Sequence, residues 1–175
     1  VRVTFFNLLP AGQDGEMILP MDSTLMGSGF LPTDSPETMP ELADNRTVLD
    51  EVRNPPCTQA AKDANLCFKD SRATLHLHGG LSPWISDGTP HQWITPDELP
   101  NPYPEGASVG QVPDMTGLDP TLGVPDCSGD NDGCQTFYWT NQQSARLMFY
   151  HDHAFGTTRL NVYLGEAAGY LISDD

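Results

Sequence analysis

Short segments of alternating apolar and polar residues stand near the two ends of the chain. Residues 1–8 alternate so that Val1, Val3 and Phe5 would share one face of a strand. Residues 73–78 alternate in the same way and are followed by two glycines. Both segments predict β-strands. Because the first strand begins without an initiator Met, we expect at least one further strand before it.

The last forty residues are the most regular part of the chain. They contain four short segments of strand-like composition, at residues 136–140, 145–151, 159–164 and 168–172. Several short strands without a strong helical period predict an all-β sandwich or barrel. The length of 175 residues fits a single domain spanning residues 1–175.

Two long segments, residues 10–72 and 94–135, lack this alternation of apolar and polar residues. They hold most of the 16 prolines and many of the 16 glycines, which suit turns and loops rather than long helices. We therefore expect loop-rich insertions, with one short helix near residues 39–49. Loops of this length usually have a function of their own or cover a functional site.

The formal net charge of −16 narrows the range of partners. Such a surface repels nucleic acid and anionic lipid. No apolar run approaches the length that a membrane span needs. We expect no nucleic-acid partner and no membrane span.

The four cysteines form two local pairs within polar loops. Four cysteines allow three pairings, and their spacing lacks the CxxC pattern that is typical of zinc sites. Since each pair is close in sequence, we predict the disulfides Cys57–Cys67 and Cys127–Cys134. Disulfides persist in oxidising compartments, so we expect a secreted, periplasmic or cell-surface protein.

Four of the five histidines occur as two copies of His-x-His, at His76 and His78 and at His151 and His153. In a strand, alternate residues share a face, so two such strands could bring four imidazoles together. Neutral imidazole binds zinc, copper, iron and nickel. The pattern predicts a metal site and leaves zinc and copper both open. The fifth histidine, His91, is expected to be a solvated loop residue.

The residues around these histidines resemble the first domain of multicopper oxidases, especially spore-coat laccases, bilirubin-oxidase-like enzymes and manganese oxidases. The resemblance rests on His76-Leu77-His78-Gly79-Gly80, Ser86-Asp87-Gly88 and Tyr150-His151-Asp152-His153. Residues 141–143 and 158–163 match the same branch. It implies a cupredoxin-like Greek-key β-barrel or sandwich, and a trinuclear copper cluster shared between two domains.

The resemblance also implies a role for each residue. His76 would bind the type-2 copper, and His78, His151 and His153 would bind the type-3 pair. Asp87 would lie near the type-2 copper and supply protons during the reduction of dioxygen. Strand alternation, rather than the resemblance, places Asp152 on the opposite face from the ligands, so we expect it to support the ligands or to face solvent.

The other half of such an enzyme is absent from this sequence. The family takes four further histidines from its last domain, and its type-1 copper uses a cysteine flanked by histidines. None of the four cysteines here has a neighbouring histidine. We therefore expect the N-terminal domain of a larger, laccase-like oxidase, inactive alone and completed by further cupredoxin domains. A small reducing substrate (a phenol, pigment or metal ion) would bind outside this chain. The alternatives are a non-catalytic copper-binding module and a mononuclear zinc enzyme.

Overall fold

A computed structural model describes residues 1–10, 16–25, 27–29, 31, 57–96, 104–113, 127, 129 and 132–174. Within these residues lie five strands, two short α-helices and one 3-10 turn, at Trp84–Ser86. The strands are β1 (Arg2–Phe6), β2 (Leu75–His78), β3 (Cys134–Tyr138), β4 (Arg146–Asp152) and β5 (Ala167–Ile172). The helices are α1 (Gln59–Asp63) and α2 (Thr158–Tyr163).

The strands form two antiparallel sheets. In the first sheet β1 pairs with β3, so that Arg2 stands opposite Tyr138. In the second sheet β4 lies between β2 and β5. The all-β prediction is therefore confirmed, and the arrangement is consistent with a cupredoxin-like fold.

The hydrophobic core is built from side chains of both sheets. Its buried centre consists of Leu77, Phe137, Trp139 and Met148. Side chains from β1, β2, β4 and β5 pack around it: Val3, Phe5, Leu75, Tyr150, Tyr170 and Ile172. Because strand side chains alternate, packing Leu77 and Met148 inward turns their neighbours His78 and Leu147 outward. The inner face of β2 thus determines where its histidines stand.

Both predicted disulfides are present. Cys57 bonds to Cys67 around α1, whose first turn is capped by the hydroxyl of Thr58 accepting from the N–H of Ala61. Cys127 bonds to Cys134, the first residue of β3.

The strand predicted at residues 159–164 is wrong, because this segment forms α2. Six residues are too few to separate a strand period from a helix period. The helix is held from its buried side, where Asn161 donates to the carbonyl of Arg72 at 3.0 Å, and the hydroxyl of Thr158 bonds the carbonyl of Ala154 at 2.9 Å. Tertiary contacts thus override the local preference of β-branched residues. The helix predicted near residues 39–49 lies outside the described residues.

Among the residues that the structure describes, none belongs to a helix of the length and apolar character needed to cross a membrane.

Candidate metal centre

The histidines converge on the outer face of the three-stranded sheet. The register of β2 and β4 places His76 opposite His151, and His78 opposite Phe149. Residues opposite each other in antiparallel strands have side chains on the same face. The cross-strand pairing therefore brings the two His-x-His motifs together, as their spacing predicted.

Three of the imidazoles form a group that could hold a metal ion. One nitrogen from each of His76, His78 and His151 lies within 4.8 Å of the other two. The ring of His153 stacks on that of His76 with centroids 4.8 Å apart, and its centroid is 5.5 Å from that of His151. All four predicted ligands thus lie in one cluster, with His153 at its edge.

Backbone carbonyls orient three of the four rings. Nδ1 of His76 bonds the carbonyl of Asp87 at 2.6 Å, Nδ1 of His151 that of Asp152 at 2.5 Å, and Nδ1 of His153 that of Gly88 at 3.2 Å. A carbonyl only accepts, so each Nδ1 carries the proton and each Nε2 is left as a lone-pair donor. His78 differs, since its Nδ1 faces Nε2 of His151 at 3.3 Å.

The Ser86-Asp87-Gly88 turn supplies two of these three carbonyls. Its first residue is anchored to the core, because the hydroxyl of Ser86 accepts from the N–H of Tyr138 and its carbonyl accepts from the indole of Trp139. Gly88 has φ +63°, and a Cβ there would lie 1.7 Å from the carbonyl oxygen of Leu75. Only glycine allows the turn to approach β2 so closely.

The carboxylate of Asp87 also reaches the cluster. Its Oδ1 lies 3.6 Å from Nδ1 of His76, and the side chain is partly exposed. The structure thus brings the predicted acid to the predicted ligand, although the short contact is made by the main-chain carbonyl. His91 is exposed, as expected, and packs beside Phe155.

Asp152 is fully buried beneath the cluster. Its Oδ1 accepts from the N–H of Thr74 at 2.9 Å, and its Oδ2 accepts from the N–H of Ala154 at 3.1 Å. Burial raises the pKa of Asp152, while these donors and the side chain of Asn161 oppose the rise. Exposure of Asp152 to solvent is therefore wrong, and support of the ligands stays a prediction.

Gln143 holds the turn that follows His78. Its amide nitrogen donates to the carbonyl of Gly79 at 3.1 Å, and its amide oxygen accepts from the N–H of Leu81 at 2.8 Å. The motif at residues 141–143 therefore supports the end of β2, a role that its sequence did not reveal.

The donor set suits a metal ion. Burial, and after it the neighbouring His76, lowers the pKa of His153, which favours the neutral, ligating form. An all-imidazole set fits copper and zinc better than the hard cations calcium and magnesium. The residues present therefore fit a copper site.

Comparison with known proteins shows which proteins the chain is similar to. No protein-family model matches the chain. A laccase of Bacillus stratosphericus is 35% identical over 104 residues, which are 59% of this chain and 15% of the laccase. Multicopper oxidase LPR1 homolog 1 of Oryza sativa subsp. japonica is 34% identical over 98 residues, 56% of this chain and 12% of that protein. Bilirubin oxidase of Albifimbria verrucaria is 47% identical over 38 residues, 22% and 7% of the two chains.

Over 56–59% of its length the chain is similar to laccases and a multicopper oxidase, and this similarity supports the multicopper oxidase family. The similarity to these relatives implies copper as the metal, and the histidine cluster fits a copper-binding domain of an oxidase. The chain spans only about 15% of the length of the laccases that it matches.

Proposed function

We propose that this chain is the N-terminal cupredoxin domain of a laccase-like multicopper oxidase, and that it holds one side of the trinuclear copper cluster that reduces dioxygen to water. The observation that carries the proposal is the convergence of two His-x-His motifs on one sheet face, with three ligand nitrogens within 4.8 Å of one another. The disulfides favour a location outside the cytosol.

In this proposal the histidines divide between two kinds of copper site. His76, which is bonded to the Asp87 carbonyl, is the type-2 ligand. His78, His151 and His153 are the type-3 ligands, and the close approach of His78 to His151 supports placing these two together. When bound, the copper ions would accept electrons one at a time and deliver them to dioxygen. The chain contributes fixed ring orientations.

Asp87 is proposed to supply protons to the reaction at this cluster. Its carboxylate lies beside His76 and is partly exposed, so it can exchange protons with solvent and with the site. A positioned acid of this kind typically contributes about 10²–10⁴-fold to a rate.

The surface around the cluster indicates how the site is completed. His78 is exposed, and the same sheet face carries Leu147 (74% exposed), Phe149 (45%) and Leu171 (72%). The Phe149 ring stacks on His78 with centroids 4.7 Å apart. A contiguous exposed apolar patch commonly marks an interface. We propose that another cupredoxin domain covers this face and brings the remaining copper ligands, and that the reducing substrate binds outside this chain.

Copper titration tests the site itself. We expect His78→Ala and His151→Ala to weaken copper binding by more than the about 10–100-fold that the loss of a supporting hydrogen bond costs, because each removes a ligand. His91→Ala is the matched control, an exposed histidine outside the cluster, and should bind copper as the wild type does. Equal loss in all three variants, or none in the first two, would contradict the proposal.

The role of Asp87 is tested in the complete enzyme. We expect Asp87→Asn to slow the reaction with dioxygen by about 10²-fold while leaving oxidation of the reducing substrate near the wild-type rate. Stopped-flow mixing of the reduced enzyme with dioxygen measures the first rate. Asp63→Asn, on α1, serves as the control. If the reduced Asp87→Asn enzyme were reoxidised at the wild-type rate, Asp87 would be a turn residue that does not supply protons.

A further inference from the structure

The two histidine motifs are joined beneath the sheet face by a single carboxylate. Asp152 stands between His151 and His153, and its side chain is on the buried face with 0% exposure. Its Oδ1 accepts from the N–H of Thr74, two residues before His76, and its Oδ2 accepts from the N–H of Ala154, directly after His153. One side chain thus bonds the main chain that flanks both motifs.

The bond to Ala154 determines the path of the chain where β4 ends. Strand β4 ends at Asp152, so His153 lies beyond the strand. A carboxylate that accepts from the N–H two residues ahead closes a local turn. At this turn the N–H of His153 bonds the carbonyl of Thr74 at 3.3 Å, and the ring of His153 lies against His76. The carboxylate therefore bonds the chain at the point where His153 leaves the strand.

The bond to Thr74 connects the turn to the rest of the fold. Thr74 is fully buried, and its hydroxyl accepts from the amide of Gln135 on β3 at 2.7 Å. Arg72, also buried, adds a positive charge that favours the ionised form of Asp152. Removing the carboxylate would leave two buried N–H groups without acceptors, and buried donors without partners are costly.

We infer that Asp152 is a positioning residue of the copper site, which holds His153 against His76 by bonding the main chain that flanks both motifs. This inference rests on the proposed copper site. Asp152 does not contact the metal position itself, since its side chain points to the opposite face of β4 from His151. It acts through hydrogen bonds that do not require a change in its protonation.

Two measurements on the full chain test the inference. In the metal-free protein, ring protons of His76 and His153 should show a nuclear Overhauser contact, which Asp152→Ala should abolish. In a copper titration, Asp152→Ala should raise the dissociation constant about 10–100-fold. Asp152→Asn keeps one acceptor oxygen and so retains one of the two bonds, and it should give an intermediate loss.

Asp70→Asn is the matched control. Asp70 is also a buried carboxylate, bonded to Lys62 at 2.9 Å, but it does not bond either histidine motif. Its variant should keep both the ring contact and the copper affinity. If Asp152→Ala fails to fold, as judged by circular dichroism, Asp152→Asn carries the same test.

Four outcomes distinguish a failure of this inference from a failure of the proposed copper site. Wild-type copper affinity and an intact ring contact in folded Asp152→Asn and Asp152→Ala would overturn the positioning role. An equal loss of affinity in Asp70→Asn would also overturn it, because affinity would then follow general stability. If His76→Ala leaves copper binding unchanged in the same titration, the proposed site itself fails. A loss in His76→Ala with none in the Asp152 variants overturns the positioning role alone.

Discussion

At the scale of single residues, the sequence predicted the four histidines better than it predicted the atoms that orient their rings. The four histidines were predictable, because two His-x-His motifs in one chain indicate a shared site. The acceptors that orient three of the rings are main-chain carbonyls of Asp87, Gly88 and Asp152, which almost any residue type could supply. Of these three residues, Gly88 is the one whose residue type the structure restricts most, because a Cβ at this position would clash with β2.

A single residue, Glu166, makes the stability of the fold depend on pH. Burial, with the charge of Asp152 second, raises the pKa of Glu166 from 4.5 to about 7, and its buried Oε2 lacks a hydrogen-bond partner. In the unfolded chain this carboxyl ionises near pH 4.5, whereas the folded chain retains the proton until about pH 7. The folded form binds more protons in that window, so the free energy of unfolding contributed by Glu166 falls as pH rises through it.

We therefore predict that Glu166→Gln, which stays neutral, gains stability relative to the wild type as pH rises. The difference in Tm between variant and wild type should be larger at pH 8 than at pH 5, by a few degrees, since about 1 kcal/mol shifts Tm by ~2–4 °C in a chain of this size. Thermal unfolding followed by circular dichroism at the two pH values measures it. A difference that is the same at both would show that ionisation of Glu166 does not affect the fold.

At the scale of elements, alternation predicted the strands well and the helix poorly. β1, β2, β3, β4 and β5 each overlap a segment of apolar alternation or β-branched and aromatic residues, because one face of each packs on the core. α2 carries a similar composition, but Thr157 and Asn161 lie one helical turn apart and are both buried in polar contacts. Hydrogen bonds from buried polar side chains to distant main-chain atoms depend on the tertiary structure. The local composition of the sequence therefore does not predict them.

The end of β4 shows the same limit within the site. Strand periodicity places His151 on the outer face, and the structure agrees. The same rule would continue the strand to His153, whereas the strand ends at Asp152 and a turn brings His153 toward His76. The composition of the cluster was therefore predictable from spacing, but the local path that positions its last member was not.

At the scale of the whole molecule, the proposed function gives the chain the ligands for one side of a copper cluster, and the chain has none of the free thiolates that a type-1 copper needs. All four cysteines are in disulfides. A type-1 centre takes a cysteine thiolate as its ligand. The histidine face is open, with His78 and the apolar side chains of Leu147 and Leu171 exposed. This combination supports the proposal that another domain supplies both the remaining ligands and the entry point for electrons.

We predict that residues 1–175 alone bind copper weakly, without intense blue colour and without oxidase activity. Imidazoles on one sheet face can hold an ion, but an open site neither excludes water nor fixes the geometry of a multinuclear cluster. Adding the remaining cupredoxin domains should restore copper loading and activity, because they would cover Phe149 and its apolar neighbours and complete the ligand set. The test is to load the purified chain with copper, then measure metal content and oxygen uptake with a phenolic substrate, with and without those domains. Full three-copper loading with sustained oxygen uptake by the chain alone would show that the site is complete in itself, and the half-site assignment would then be wrong.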